Sequence, residues 1–268
     1  MTGIARITAA FDQAAADNRA ALMPFLTGGY PDRETFLRDA RVLLEHADLL
    51  EVGLPYSDPL GDGPTIQAAG QAALTAGATT AGVLELIREL SDAGKPILVM
   101  TYYNPIFCHP GGERGFLEAL HASGAAGVIL PDLPPEEAGG LREIASELGL
   151  ATVFLIAPTT TPERLELVTA ACSGFVYCVS VTGVTGARSS VPAELPDMLA
   201  AARKVTDLPL AVGFGVSDRA TANRVAAAAD GVVVGSALIN AQERGEPLDQ
   251  LAVELMEGCR RQPGVSRR

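Results

Sequence analysis

Two carboxylates and three glycine-rich turns are the residues of this sequence whose types and spacing point to chemistry. Glu51 stands inside the apolar run Leu49, Leu50, Val52, Gly53. Burial disfavours the charged form of a carboxyl and raises its pKa, which suits a general acid and base near neutrality. The alternative for such a residue is a strand-end glutamate paired with an arginine. Asp62 lies in a segment stiffened by Pro55, Pro59 and Pro64. Its alternative is an ordinary Asp-Gly turn, because Asp hydrogen-bonds its own backbone. The turns are Gly183-Val184-Thr185-Gly186, Gly213-Phe214-Gly215 and Gly235-Ser236, the last followed by Ala237-Leu238-Ile239, which reads as a short helix. Glycines let a backbone approach an anion, and a helix start presents free N–H groups. Three such turns predict a phosphate held by backbone groups, against the alternative of plain connecting turns.

The elements that must position these residues alternate regularly. Apolar runs predict strands at Leu22–Thr27, Leu49–Gly53, Ile97–Thr101, Gly127–Pro131, Ala151–Ile156, Gly174–Val179, Leu210–Gly213 and Gly231–Val234. Amphipathic stretches between them predict helices at Glu34–Glu45, Gln67–Ala76, Ala81–Ala93, Glu113–Ser123, Pro135–Leu148, Pro162–Ala171, Pro192–Val205, Asp218–Ala228 and Pro247–Cys259. Strand-then-helix repetition calls for a parallel sheet. Eight such units in one chain of this length call for an α/β fold of the (β/α)8 TIM-barrel type, a single domain over residues 1–268. An extra N-terminal helix near Ile4–Ala15 is expected to cap the barrel floor, and the tail Arg260–Arg268 to fray. In such barrels chemistry sits at the C-terminal ends of the strands. Glu51, Asp62, the pair Tyr102 and Tyr103 with Asn104, Asp132, Tyr177 and the glycine turns all fall there.

Elimination narrows the chemistry. The chain has two lysines, Lys95 and Lys204, each just before a predicted strand and so near the floor. No lysine is expected at the active face, which disfavours a Schiff-base aldolase. Of three histidines, His46 and His121 end helices at the floor and only His109 lies near the top. No His or His–carboxylate spacing predicts a metal site. The acid–base work is left to carboxylates. The net charge of −12 argues against nucleic acid and against an anionic membrane as partners. Cys108, Cys172, Cys178 and Cys259 form no CxxC pair and read as buried, reduced thiols of a cytoplasmic protein. Met1 to Asn18 carries Arg6, Asp12 and Asp17 and does not read as a signal peptide, and no apolar run is long enough for a membrane helix.

The run LEVGLPYSDPLGDGPTIQ, Leu50 to Gln67, resembles the signature of tryptophan synthase alpha subunits. Pro24-Phe25-Leu26-Thr27, Gly183-Val184-Thr185-Gly186, Gly213-Phe214-Gly215 and Gly235-Ser236 match the same family in the same order. The resemblance covers essentially the whole chain. It implies cleavage of indole-3-glycerol phosphate to indole and glyceraldehyde 3-phosphate. Glu51 would protonate the ring carbon that carries the glycerol chain and take the proton of the neighbouring hydroxyl. Asp62 would hold the indole N–H and stabilise the ring cation. Tyr177 matches an active-site tyrosine of the family and Phe25 a residue lining the indole pocket; Gly186, Gly213, Gly215, Gly235 and Ser236 match the phosphate site. One departure stands out: many relatives have a basic residue where this chain has Val181, with Thr182 between it and Gly183.

The family also implies a beta subunit in an α2β2 heterotetramer. That partner would use pyridoxal phosphate to join indole to serine, with no such cofactor in this chain. Leu54–Leu60 and Ser180–Pro192 would face it. The second of these segments is long and rich in Gly, Ser and Thr, and reads as a closing lid in which Thr185 hydrogen-bonds Asp62. Competing readings are a lyase that works without a partner, a non-catalytic activating subunit, and another phosphate-binding barrel such as a sugar-phosphate isomerase.

Overall fold

The computed structural model describes residues 1–179, 194–213 and 215–261. Eight short parallel strands close into a barrel in chain order, with β1 (Ala21–Thr27) pairing both β2 (Leu50–Gly53) and β8 (Gly231–Val234). The others are β3 (Ile97–Met100), β4 (Gly127–Leu130), β5 (Ala151–Ile156), β6 (Val176–Val179) and β7 (Leu210–Gly213). The expected (β/α)8 barrel is therefore the fold.

Alternation along the strands divides the apolar residues between two cores, because successive side chains on a strand point to opposite faces. Leu22, Leu26, Leu50, Val52, Val99, Val176, Val212 and Val232 face outward into the layer of helices. Ala21, Met23, Leu49, Leu98, Ile129, Val153, Phe175, Ala211 and Val233 face inward and fill the barrel. Both faces are covered, so the strands read as continuous apolar runs. Two residues above this inner layer, in the same alternation, stand Phe25, Glu51, Met100, Leu155, Tyr177, Gly213 and Gly235. The period of two thus aims the site residues into the upper barrel.

The expected leading helix exists as α1 (Gly3–Ala16), with the Thr2 hydroxyl accepting from the Ala5 N–H at its start. It buries Ile7, Phe11 and Ala14 against the inner core, and the Phe11 and Phe175 rings lie 5.6 Å apart. The barrel floor is closed by this helix.

The outer layer comprises α2 (Arg33–His46), α3 (Pro64–Thr75), α4 (Thr80–Leu90), α5 (Tyr103–Phe107), α6 (Gly112–Ala122), α7 (Gly139–Glu147), α8 (Pro162–Ala171), α9 (Leu195–Ala202), α10 (Arg219–Ala226), α11 (Ser236–Glu243) and α12 (Leu248–Gly258). A 3-10 turn, Ser91–Ala93, follows α4. Several expected boundaries move for local reasons. Strand β6 begins at Val176 rather than Gly174, whose φ of +92° belongs to a turn. Helix α7 begins at Gly139 rather than Pro135, because Glu137 and Ala138 instead donate to the carbonyls of Pro134 and Pro135. The single turn of α5 was not expected. Residues 192 and 193, expected to open α9, and most of the expected frayed tail lie outside the described residues.

One expectation is corrected. Only Cys178 and Cys259 are buried; Cys172 is half-buried and Cys108 is exposed, and all four are free thiols. Cys108 follows the last residue of α5, a single turn after β3 whose Phe107 is exposed as well.

Candidate active site

Glu51 is carried by β2 and follows Leu49 by two residues, so its side chain enters the barrel. It is 1% exposed, and neither carboxyl oxygen has a hydrogen-bond partner. The arginine-paired alternative is thereby excluded for the described residues. Burial first, then the charge of Asp62, pushes its pKa up to about 8. A carboxyl left unpaired in a barrel core costs stability, and such a cost is typical of sites built for chemistry.

Asp62 stands in the loop after β2. Its N–H donates to the Pro59 carbonyl at 3.1 Å, and its carbonyl accepts from Gln67 Nε2 at 2.8 Å. Its backbone makes the turn, and the turn brings Asp62 to the wall of the cavity that Glu51 also lines. Burial raises its pKa to about 6, opposed by a hydrogen bond from the Tyr102 hydroxyl.

Tyr102 is the residue that sequence reasoning left without a role. It sits at the start of α5, and its hydroxyl accepts from the Gly61 N–H at 2.9 Å while bonding the Asp62 carboxylate. Its position at a strand end was legible, but its contact with a loop about forty residues away was not. Burial and the Asp62 charge hold its phenol well above its ordinary pKa.

Glu51 and Asp62 share one cavity of about 1020 Å³ at the C-terminal end of the barrel, while Tyr102 lines a smaller pocket on the other side of Asp62. Glu51 and Asp62 line the larger one with Phe25, Tyr177, Leu155 and Ile66. The aromatic and aliphatic wall suits a flat apolar ring, and the few polar groups fix its orientation. Tyr177 is 8% exposed; burial, then the charges of Glu51 and Asp62, raises its pKa and keeps the phenol neutral.

Gly213, Gly215, Gly235 and Ser236 line the same cavity. Gly235 caps α11, so the N–H groups of Ser236 and Ala237 belong to its first turn and have no acceptor inside the helix. A Cβ on Gly235 would meet nothing closer than 3.5 Å, so its bareness serves approach from the cavity rather than packing. Gly213 differs, since a Cβ there would strike Tyr177. Gly215 has φ of +68°, a left-handed turn that glycine makes freely.

Arg244 is the one cationic side chain among the described cavity residues, and it is engaged by Glu246. Lys95 precedes β3 and Lys204 precedes β7, both at the floor end. No group of three His, Cys, Asp or Glu residues among the described residues could hold a metal ion, and no described helix is long and apolar enough to cross a membrane. Thr185 and Gly186, with Val181, Thr182 and the expected lid, lie outside the described residues, as does Phe214.

The family model described as tryptophan synthase alpha chain matches residues 11–262. The tryptophan synthase alpha chain of Deinococcus radiodurans is 54% identical over 261 residues, covering 97% of this chain and 96% of that one. That of Mycobacterium marinum is 46% identical over 257 residues, covering 95% of each. Among solved structures, a chain of Mycobacterium tuberculosis tryptophan synthase superposes with a TM-score of 0.90 at 43% identity, covering 95% of this chain and 98% of that one. A chain from the tryptophan synthase α2β2 complex of Pyrococcus furiosus gives 0.82 at 40%, covering 90% and 98%.

Proposed function

The chain belongs to the tryptophan synthase alpha chain family, lyases of tryptophan biosynthesis, and from that premise we propose how its residues divide the cleavage of indole-3-glycerol phosphate. Glu51 gives its proton to the ring carbon bearing the glycerol chain. The ring nitrogen then carries positive charge, and the Asp62 carboxylate, accepting from the N–H, stabilises it where it develops. The hydroxyl on the adjoining chain carbon returns a proton to Glu51. The carbon–carbon bond breaks, its electron pair neutralises the ring, and the products are indole and glyceraldehyde 3-phosphate. One carboxyl changes protonation state and the other stays an anion, which fits a site that raises Glu51 further than Asp62. Phe25 and Tyr177 flank the ring. Gly213, Gly215, Gly235 and Ser236 receive the phosphate, joined by Thr185 and Gly186 from the segment outside the described residues.

The observation that carries this reading is Glu51 itself. Its carboxyl is buried at the wall of a cavity it shares with Asp62 and Gly235, and neither of its oxygens has a hydrogen-bond partner among the described residues. We propose further that residues 1–268 act as one barrel domain in the cytoplasm, without nucleic acid or membrane, as the alpha half of an α2β2 heterotetramer. Pyridoxal phosphate belongs to the beta partner, and no cofactor to this chain. Leu60, 91% exposed, and Phe107, 65% exposed, follow adjacent strands on the C-terminal rim and support a partner there.

Indole release from indole-3-glycerol phosphate by the purified chain, alone and titrated with a beta subunit, tests both statements. Slow release alone and faster release with the partner is expected. No release in either state overturns the chemistry; release indifferent to the beta subunit overturns the partnership.

A further inference from the structure

At the C-terminal end of α11, beside Ala241 and Arg244 of the cavity wall, a buried polar pair joins this helix to α2. Gln242, 6% exposed, donates from Nε2 to Asp39 Oδ2 at 2.9 Å. Asp39, 5% exposed, lies on α2, and its Oδ1 accepts from Nε and Nη2 of the neighbouring Arg38, at 3.0 and 2.9 Å. Gln242 Oε1 has no partner. The two residues are 203 apart in the chain.

Apolar side chains would fill such a helix interface at lower cost, since a buried acceptor with no donor is penalised. A directional bond does something that packing does not: it fixes where one helix end stands relative to the other. Helix α11 is eight residues long, so its N-terminal turn and Gln242 move as one short rod. Its other buried side chains, Leu238, Ile239 and Ala241, are apolar and make contacts without direction. We propose that the Asp39–Gln242 hydrogen bond is a positioning device for the phosphate site, seating α11 so that the N–H groups of Ser236 and Ala237 meet the anion. This rests on the phosphate reading of Gly235 and Ser236 given above.

The test measures binding of glycerol 3-phosphate and of indole, separately, to the purified chain, with KM and kcat for indole-3-glycerol phosphate. Gln242→Met keeps the length of the side chain and removes the donor. It is expected to weaken glycerol 3-phosphate binding roughly tenfold, equivalent to about 1.4 kcal/mol, and to raise KM, while indole binding and kcat hold. Asp39→Asn keeps an acceptor and is expected to bind glycerol 3-phosphate as the parent does. Gln242→Asn, which withdraws the amide by one methylene, replaces Gln242→Met should that variant not fold. Unchanged glycerol 3-phosphate binding, or equal loss of both ligands, overturns the proposal. Gly235→Asp separates this failure from the other: if it too leaves glycerol 3-phosphate binding intact, the phosphate reading itself is wrong.

Discussion

Tyr177 lies flush against the bare backbone of Gly213: a Cβ there would stand 2.3 Å from the tyrosine hydroxyl and 2.7 Å from its ring. Strands β6 and β7 pair with Tyr177 opposite Ala211 and Val179 opposite Gly213, so the ring leans along the strand over the glycine. The absence of a side chain at Gly213 is therefore a packing requirement as well as an opening to the cavity. Gly213→Ala is expected to cost about 1–3 kcal/mol by overpacking and to raise KM through the displaced ring. Trimming the hydroxyl in the double variant Gly213→Ala, Tyr177→Phe should recover part of the loss. Strictly additive melting temperatures across the four proteins would show that the two side chains do not collide.

Glu51→Gln is expected to lower indole release by roughly 10²–10⁴-fold, the range for a lost general acid–base group. The amide has the size of the carboxyl and breaks no ion pair, so the fold survives. A variant that kept over half the parent activity with intact circular dichroism would remove Glu51 from the mechanism.

The same carboxyl gives stability a sign with pH. In the folded protein Glu51 keeps its proton up to about 8, whereas in the unfolded chain it loses it near its ordinary value of 4.5. Between those values the native state binds more protons than the unfolded state, so this contribution to stability falls as pH rises and levels off above about 8. Asp62 adds a like fall between 3.8 and about 6. Denaturant unfolding of the parent and of Glu51→Gln from pH 5 to 9 should show the gap between them moving in favour of the variant. A gap independent of pH would mean that Glu51 titrates as an exposed carboxyl does.

Tyr102→Phe removes a hydrogen bond that holds the Asp62 pKa down. The parent is expected to show a bell-shaped activity profile, rising as Asp62 ionises near 6 and falling as Glu51 loses its proton near 8. In the variant the acidic limb should move to higher pH while the basic limb stays. Gly61, which donates to the same hydroxyl, loses its acceptor too, so maximal activity should also drop. An acidic limb that did not move would show that Tyr102 does not act on Asp62.

Much of this was legible because it is written in short-range pattern. The eight apolar runs named the strands, and alternation from Leu49 placed Glu51 inside the barrel. Pro162 at the first position of α8 and Asp218 capping α10 marked their starts. What escaped depends on distant partners. Nothing near Tyr102 announces that its hydroxyl joins Gly61 and Asp62. Nothing near Gln242 announces Asp39. The pKa of Glu51 could be given a direction from its apolar neighbours, but that no arginine among the described residues pairs with it is a property of the assembled barrel.

Because α1 plugs the lower end of the barrel with Ile7, Phe11 and Ala14, the chamber above it is a blind alley. Water cannot drain through it, and no molecule passes from one end to the other. Arrivals and departures share the C-terminal end of the barrel, where the Asp62 loop and the start of α11 line the cavity. Two products made at the bottom of such a dead end must leave in some order, each past the threshold the substrate crossed. A partner seated on the C-terminal rim would thus stand over the end of the barrel that α1 leaves open, and become the gatekeeper of what the barrel releases.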